Sequence, residues 1–251
     1  MLKGAPTLLD GIPQFLRFLH DRTFSYITSM SMERSYGNPD SGIWLVPDSN
    51  PGNWQEDLKV PLDSRHSTRH SIWTPIIYEV QCHLFPYNLW LDETRFYIRN
   101  AVENSTDWRD KGKRGSEIVN FSNLIKNEPQ PPLIVLTFGT DAYEFARWAH
   151  EIACGRALLP GRFEKRKVAK LHEVFNDRTA DFRPDEVNIL PLLHSVVARG
   201  KFLHCHEHFS GGKGNYFEYV GQRIAAVLIE NRSNPRLSPL LRRNCPVDPN
   251  A

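Results

Sequence analysis

Apolar positions along this chain recur in two rhythms. Helical spacing is carried by Ile12, Phe15, Leu16, Leu19, Phe24 and Ile27, with Pro13 tolerable in a first turn, and predicts a helix over 12–30. The same spacing links Trp73, Ile76, Ile77, Val80 and Leu84, with Ser71 as the expected cap, Pro75 early in the helix and Pro86 as its stop. Phe96, Ile98 and Val102 predict a helix over 92–102. Another is expected over 141–149, directly after Gly139, and a last one through Tyr216, Phe217, Val220, Ile224, Val227 and Leu228. Four runs read instead as strands. Ile43-Trp44-Leu45-Val46 is continuous and stops at a Pro/Gly-rich turn; 118–126 alternates apolar and polar residues. The runs 133–138 and 187–193 have the unbroken apolar character of central parallel strands. The hydrophilic span 103–117, with two glycines and Arg109, Lys111, Lys113 and Arg114, reads as a mobile surface loop that could face DNA.

Strands interleaved with helices predict an α/β fold: a three-layer α/β/α sandwich around a central, mostly parallel four-stranded sheet. At 251 residues one domain is expected, over 1–230, followed by a basic, Pro-rich tail at 231–251 that reads as poorly ordered. Hydrophobic residues at 40% and charged residues at 24% suit a water-soluble domain, and no apolar run approaches the roughly 18 residues of a membrane helix. With no signal-like start, a cytoplasmic monomer is expected. Cys82, Cys154, Cys205 and Cys245 form no C-x-x-C pair and read as free buried thiols. A net charge of +2 does not itself indicate a nucleic-acid partner, so the placement of charge matters more. Arg156, Arg162, Lys165, Arg166, Lys167 and Lys170 form the strongest positive patch. It is either a solvated helix face, paired with Glu164, Glu173 and Asp177, or a phosphate-contacting surface. Arg65, His66, Arg69 and His70 read as a solvated loop or as a phosphate contact.

Candidate chemistry lies where strands end, the edge at which open α/β sheets hold ligands. Asp48-Ser49-Asn50-Pro51-Gly52 follows the first strand, Asn123 lies beyond Phe121 on the second, and His194-Ser195-Val196 follows the last. This series resembles the uracil-DNA glycosylase superfamily. In that family a first motif of G-x-D/N-P-Y/G type positions the attacking water, a middle strand offers an Asn to the flipped base, and an H-P-S-type loop stabilises the leaving base. The resemblance implies catalytic roles for Asp48, Asn50 and His194, and a base pocket of Pro51, Gly52, Phe121 and Asn123. It implies DNA contacts from Ser195, Val196, Arg199 and Lys201, with Arg162, Lys165, Arg166 and Lys167 on phosphates.

Two departures are specific. Asp48 stands where the family usually has Gly, and no Pro separates His194 from Ser195. Gly52 replaces the tyrosine that walls off the pyrimidine 5-position in P-Y members, so a 5-substituted base, as in some phage DNA, is an expected substrate beside uracil. The residue types suit the reaction. Cleavage passes through an oxocarbenium-like sugar while charge gathers on the departing base, which His194 can stabilise by a hydrogen bond. Asn123 carries donor and acceptor and can read a base edge. No cofactor, metal or iron-sulfur cluster is expected. Two alternatives stay open: a metal-dependent hydrolase built on His204, His206 and His208, and a module that binds modified DNA without cutting it.

Overall fold

A computed structural model describes residues 35–49, 60–63, 66, 68–127, 130–155, 168–194 and 215–243. The expected helix over 12–30 lies outside them. β1 (Ser35–Gly37) leads through a turn into β2 (Ile43–Val46), whose four side chains are all buried. A strand buried on both faces belongs inside a sheet, and β2 does sit there. A π-helical turn, Arg69–Trp73, runs into α1 (Thr74–Leu84) without a side-chain cap, so Ser71 is not the cap. Pro75 lies in the first turn as expected, and the helix gives way to a 3-10 turn at Phe85–Tyr87 that contains Pro86. Then come β3 (Leu89–Leu91), β4 (Tyr97–Arg99), α2 (Lys111–Asn127), β5 (Ile134–Phe138) and α3 (Thr140–Ala153). The described chain continues with α4 (Leu171–Ala180), β6 (Asn188–Leu192), α5 (Tyr216–Glu230) and β7 (Leu241–Arg243).

The main sheet has five strands in the order β1-β4-β2-β5-β6. β4, β2, β5 and β6 are mutually parallel, and β1 adds an antiparallel edge. Strand alternation sends Trp44 and Tyr97 to one face, where Trp44 meets Phe121 of α2 and Phe121 meets Phe145 of α3. Phe96 and Phe138 face the other way, against Trp73 at the start of α1. Helices therefore cover both faces. On the second face α1 and α5 cross closely: a Cβ on Gly221 would stand 2.4 Å from Cβ of Glu79, so only glycine allows this approach.

Two elements differ from the sequence expectation by an exchange of type. The run 118–126 is the second half of helix α2, and the polar span before it supplies that helix's first turns. Its buried residues, Ile118, Phe121, Ser122 and Ile125, are spaced i, i+3, i+4 and i+7, a helical stripe that coexists with the alternation. Conversely, 92–102 is not a helix but contains β4, whose Tyr97, Ile98 and Arg99 are all buried because the strand is covered on both faces. The 231–243 segment is also packed rather than loose. Leu237 and Leu240 are buried, and β7 pairs antiparallel with β3. Beneath that ribbon the Gln81 amide both donates to the Leu91 carbonyl (2.7 Å) and accepts from the Leu91 amide (3.0 Å). The thiols of Cys82 and Cys154 are free but exposed, not buried; Cys205 and Cys245 lie outside the described residues.

Candidate active site

Parallel strands bring their carboxyl ends to one edge, and three of those ends converge here. Beyond β2, the Pro47 and Asp48 carbonyls accept from the amides of Ala101 and Val102, so the exits of β2 and β4 stay zipped together. Asp48 uses Oδ1 to accept from the Ser49 amide and leaves Oδ2 facing His194, whose Nε2 is 3.5 Å away. Both side chains are about a quarter exposed, Asp48 at 27% and His194 at 25%, so the pair is sheltered yet reachable.

His194 is held from below and from the side. The Leu193 amide donates to the Tyr216 hydroxyl at 3.0 Å, and burial pushes that phenol's pKa well up, keeping it neutral. Between the two strand ends lies Gly139, at the exit of β5, with φ of +95° and its amide donating to the Leu192 carbonyl. A Cβ here would come 3.1 Å from Cβ of His194. The glycine thus serves both the turn into α3 and the seat of the imidazole.

Two further residues complete the edge, neither assigned to it from the sequence. Asn100 follows β4 directly and is 4% exposed. Its signal was available: a β-branched and aromatic run, Phe96 to Arg99, ending in an amide residue, obscured by an apparent helical spacing. His66 is 3% exposed and close enough to Asp48 and His194 to feel both charges. Desolvation holds its pKa below the ordinary imidazole value, against the opposing pull of Asp48.

Of the residues singled out from the sequence, the fold brings Asp48 and His194 together. It does not bring Asn123 or Phe121 to them. Phe121 is in the core against Trp44, and Asn123, two positions on along the same helix, is on its exposed side. The base-reading assignment of these two residues depended on a strand, and a helix turns consecutive even positions by about 200° rather than back to the same face. Asn50, Pro51, Gly52, Ser195, Val196, Arg199, Lys201, Arg162, Lys165, Arg166 and Lys167 lie outside the described residues, as do His204, His206 and His208. Among the described residues no group of three His, Cys, Asp or Glu is placed to hold a metal ion, and no helix is long and apolar enough to cross a membrane. A separate groove of about 670 Å³, lined by Ile77, Tyr78, Phe85 and Trp90 among others, contains none of these candidates.

Chemically, the edge offers a carboxylate that can activate or orient a water and an imidazole that can donate a proton or hydrogen bond, with the buried Asn100 at the end of the neighbouring strand. Compared with known proteins, the chain matches no family model and no curated sequence.

Proposed function

We propose that this protein is a DNA glycosylase that hydrolyses the N-glycosidic bond of a pyrimidine extruded from DNA, leaving an abasic site. The observation that carries the reading is the Asp48–His194 pair, 3.5 Å apart, contributed by the carboxyl ends of the first and last strands of the parallel set. Asp48 takes the water or the sugar cation, and His194 takes the charge on the leaving base. Base reading passes from Asn123 to Asn100, which stands at the end of the strand between β1 and β2 and supplies the amide that a middle strand should contribute. The substrate class includes bases with a 5-substituent, on the strength of Gly52 in the first motif.

A cleavage panel tests this. Duplex and single-stranded oligonucleotides carrying uracil, cytosine and their 5-substituted forms are incubated with the protein and then with alkali, which cuts at abasic sites. Cleavage by wild type on at least one base is expected, lost in Asp48→Asn and His194→Ala and sharply reduced in Asn100→Ala. Absence of abasic sites on every base refutes the reading, and full activity of Asn100→Ala refutes the reassignment.

A further inference from the structure

Among the described residues five large apolar side chains stand exposed, and four of them, Tyr78, Phe85, Tyr87 and Trp90, gather around one groove. They come from two walls. The outward positions of α1 and its exit are Thr74, Tyr78, Cys82 and Phe85, spaced i, i+4, i+8 and i+11, so one helical stripe faces out while Ile76, Ile77, Val80 and Leu84 face in. A solvated stripe normally carries charged residues, and this one carries none. On β3, Leu89 and Leu91 are buried and strand alternation turns Trp90 the other way, onto the opposite wall. The groove between the walls measures about 670 Å³. Its charged lining residues, Asp92 and Glu93, are already matched, by Arg242 at 2.5 Å and by Arg69 at 3.5 Å.

We propose that this groove and its aromatic rim form a twofold interface between two copies of the chain, in place of the single-copy state expected from the sequence. Area, charge and shape select that occupant. The four aromatic side chains, each between 47% and 69% exposed, present roughly 500 Å² to solvent. A monomer rarely keeps an apolar patch above roughly 300–600 Å² in water, and the groove walls carry this one toward the roughly 800 Å² per partner of a stable pair. A twofold contact sets a surface against its own copy, so a net charge there would repel itself. The matched carboxylates remove that obstacle, and the lining has no lysine or arginine to hold a nucleic-acid backbone. The patch also contains both halves of a self-complementary fit, the turn at Phe85–Tyr87 as the projection and the groove beside it as the recess. With the two α1 stripes antiparallel, Phe85 of one copy enters the groove beside Tyr78 of the other. The axis then passes midway between positions 78 and 85, which brings the two exposed Cys82 thiols face to face.

The test has two arms on the full chain. Sedimentation velocity at micromolar concentrations is expected to give a particle of roughly twice 29.0 kDa, with the single chain appearing on dilution. Phe85→Asp and Trp90→Glu, both at exposed positions, are each expected to weaken association at least about 30-fold, with far-UV dichroism and the urea midpoint unchanged. In the second arm a short bis-maleimide, which joins two thiols without an oxidant, is expected to link two chains through Cys82. That link should vanish in Cys82→Ser and in Phe85→Asp and survive Cys154→Ser. A single chain at every concentration overturns the proposal, whether the groove stays open or another part of the chain covers it. So does a dimer indifferent to both groove substitutions, or one whose cross-links map away from Cys82. Neither arm reads base release, so the interface and the glycosylase reading stand or fall separately.

Discussion

Two carboxylate pairs, one with a guanidinium and one with an imidazole, lie close together in this fold and are built differently. Arg99, at the end of β4, is 2% exposed and meets Glu117 of α2 at 2.8 Å, with its guanidinium 5.5 Å from the centre of the Phe121 ring. Asp48 and His194 stand 3.5 Å apart and are each about a quarter exposed. The first is a strut: it is short, enclosed and roofed by an aromatic ring, and it ties a strand to the helix above it. The second is looser and open to solvent. The contrast in length and exposure is what the proposed roles rest on, the strand ends as the working edge and the Arg99 pair as its support.

The sharpest way to break the contrast is to cut the strut. Glu117→Gln leaves the Arg99 charge buried without its counter-ion and is expected to cost about 3 kcal/mol of stability in urea unfolding, since removing one member of a buried pair exposes the full desolvation penalty of the other. The corresponding change at the working edge should act on rate instead. His194→Ala is expected to lower base release by about 100-fold, about 2.7 kcal/mol of transition-state stabilisation, while shifting the unfolding midpoint little because the side chain is partly solvated. A result in which His194→Ala unfolds the protein and Glu117→Gln does not would reverse the roles assigned here.

Gly139 joins the two kinds of effect. Gly139→Ala places a Cβ at a φ of +95° and 3.1 Å from His194, so about 1–2 kcal/mol of destabilisation is expected together with a loss of activity that His194→Ala already contains. Non-additive rates in the double variant would show that the glycine acts through the imidazole. The smallest effect is on pH. The folded-state pKa of His66 is lowered, so above about pH 6.5 the ring is neutral in both folded and unfolded chains and contributes no slope. As pH falls from there toward the folded value, the unfolded chain takes the proton first and stability declines, by at most about 1.4 kcal/mol per pH unit. Urea midpoints between neutral and mildly acid pH should therefore fall more steeply in wild type than in His66→Gln.

Much of this arrangement could be read before any coordinates. The strands at Ile43, Leu133 and Val187, the helix after Gly139, and the placing of Asp48 and His194 at strand ends all follow from continuous apolar runs that stop at polar turns, which is a local signal. The exchange between 118–126 and 92–102 was not legible, because short apolar segments fit two periods and the neighbours that decide between them are distant in sequence. Tyr97 is a strand residue because β1 and β2 flank it; Phe121 is helical because Trp44 and Phe145 receive it. The exchange of type is also what moves Asn123 from an expected strand to an exposed helix face.

The linear chain fixed the class of fold and the residue types available for chemistry, since strand and helix formation depend on neighbours within a few positions. Which of those residues come to one edge was settled by strand order and by the packing around it. Placing β4 beside β2 puts Asn100 at the same sheet edge, and Gly139 packs under His194, which lies 3.5 Å from Asp48. His66 enters from a turn whose own sequence reads as one more polar loop, and only burial distinguishes it from the exposed His70 beside it. Contacts between strands far apart in sequence depend on the energy of the whole packed core, and no window of the sequence contains that sum.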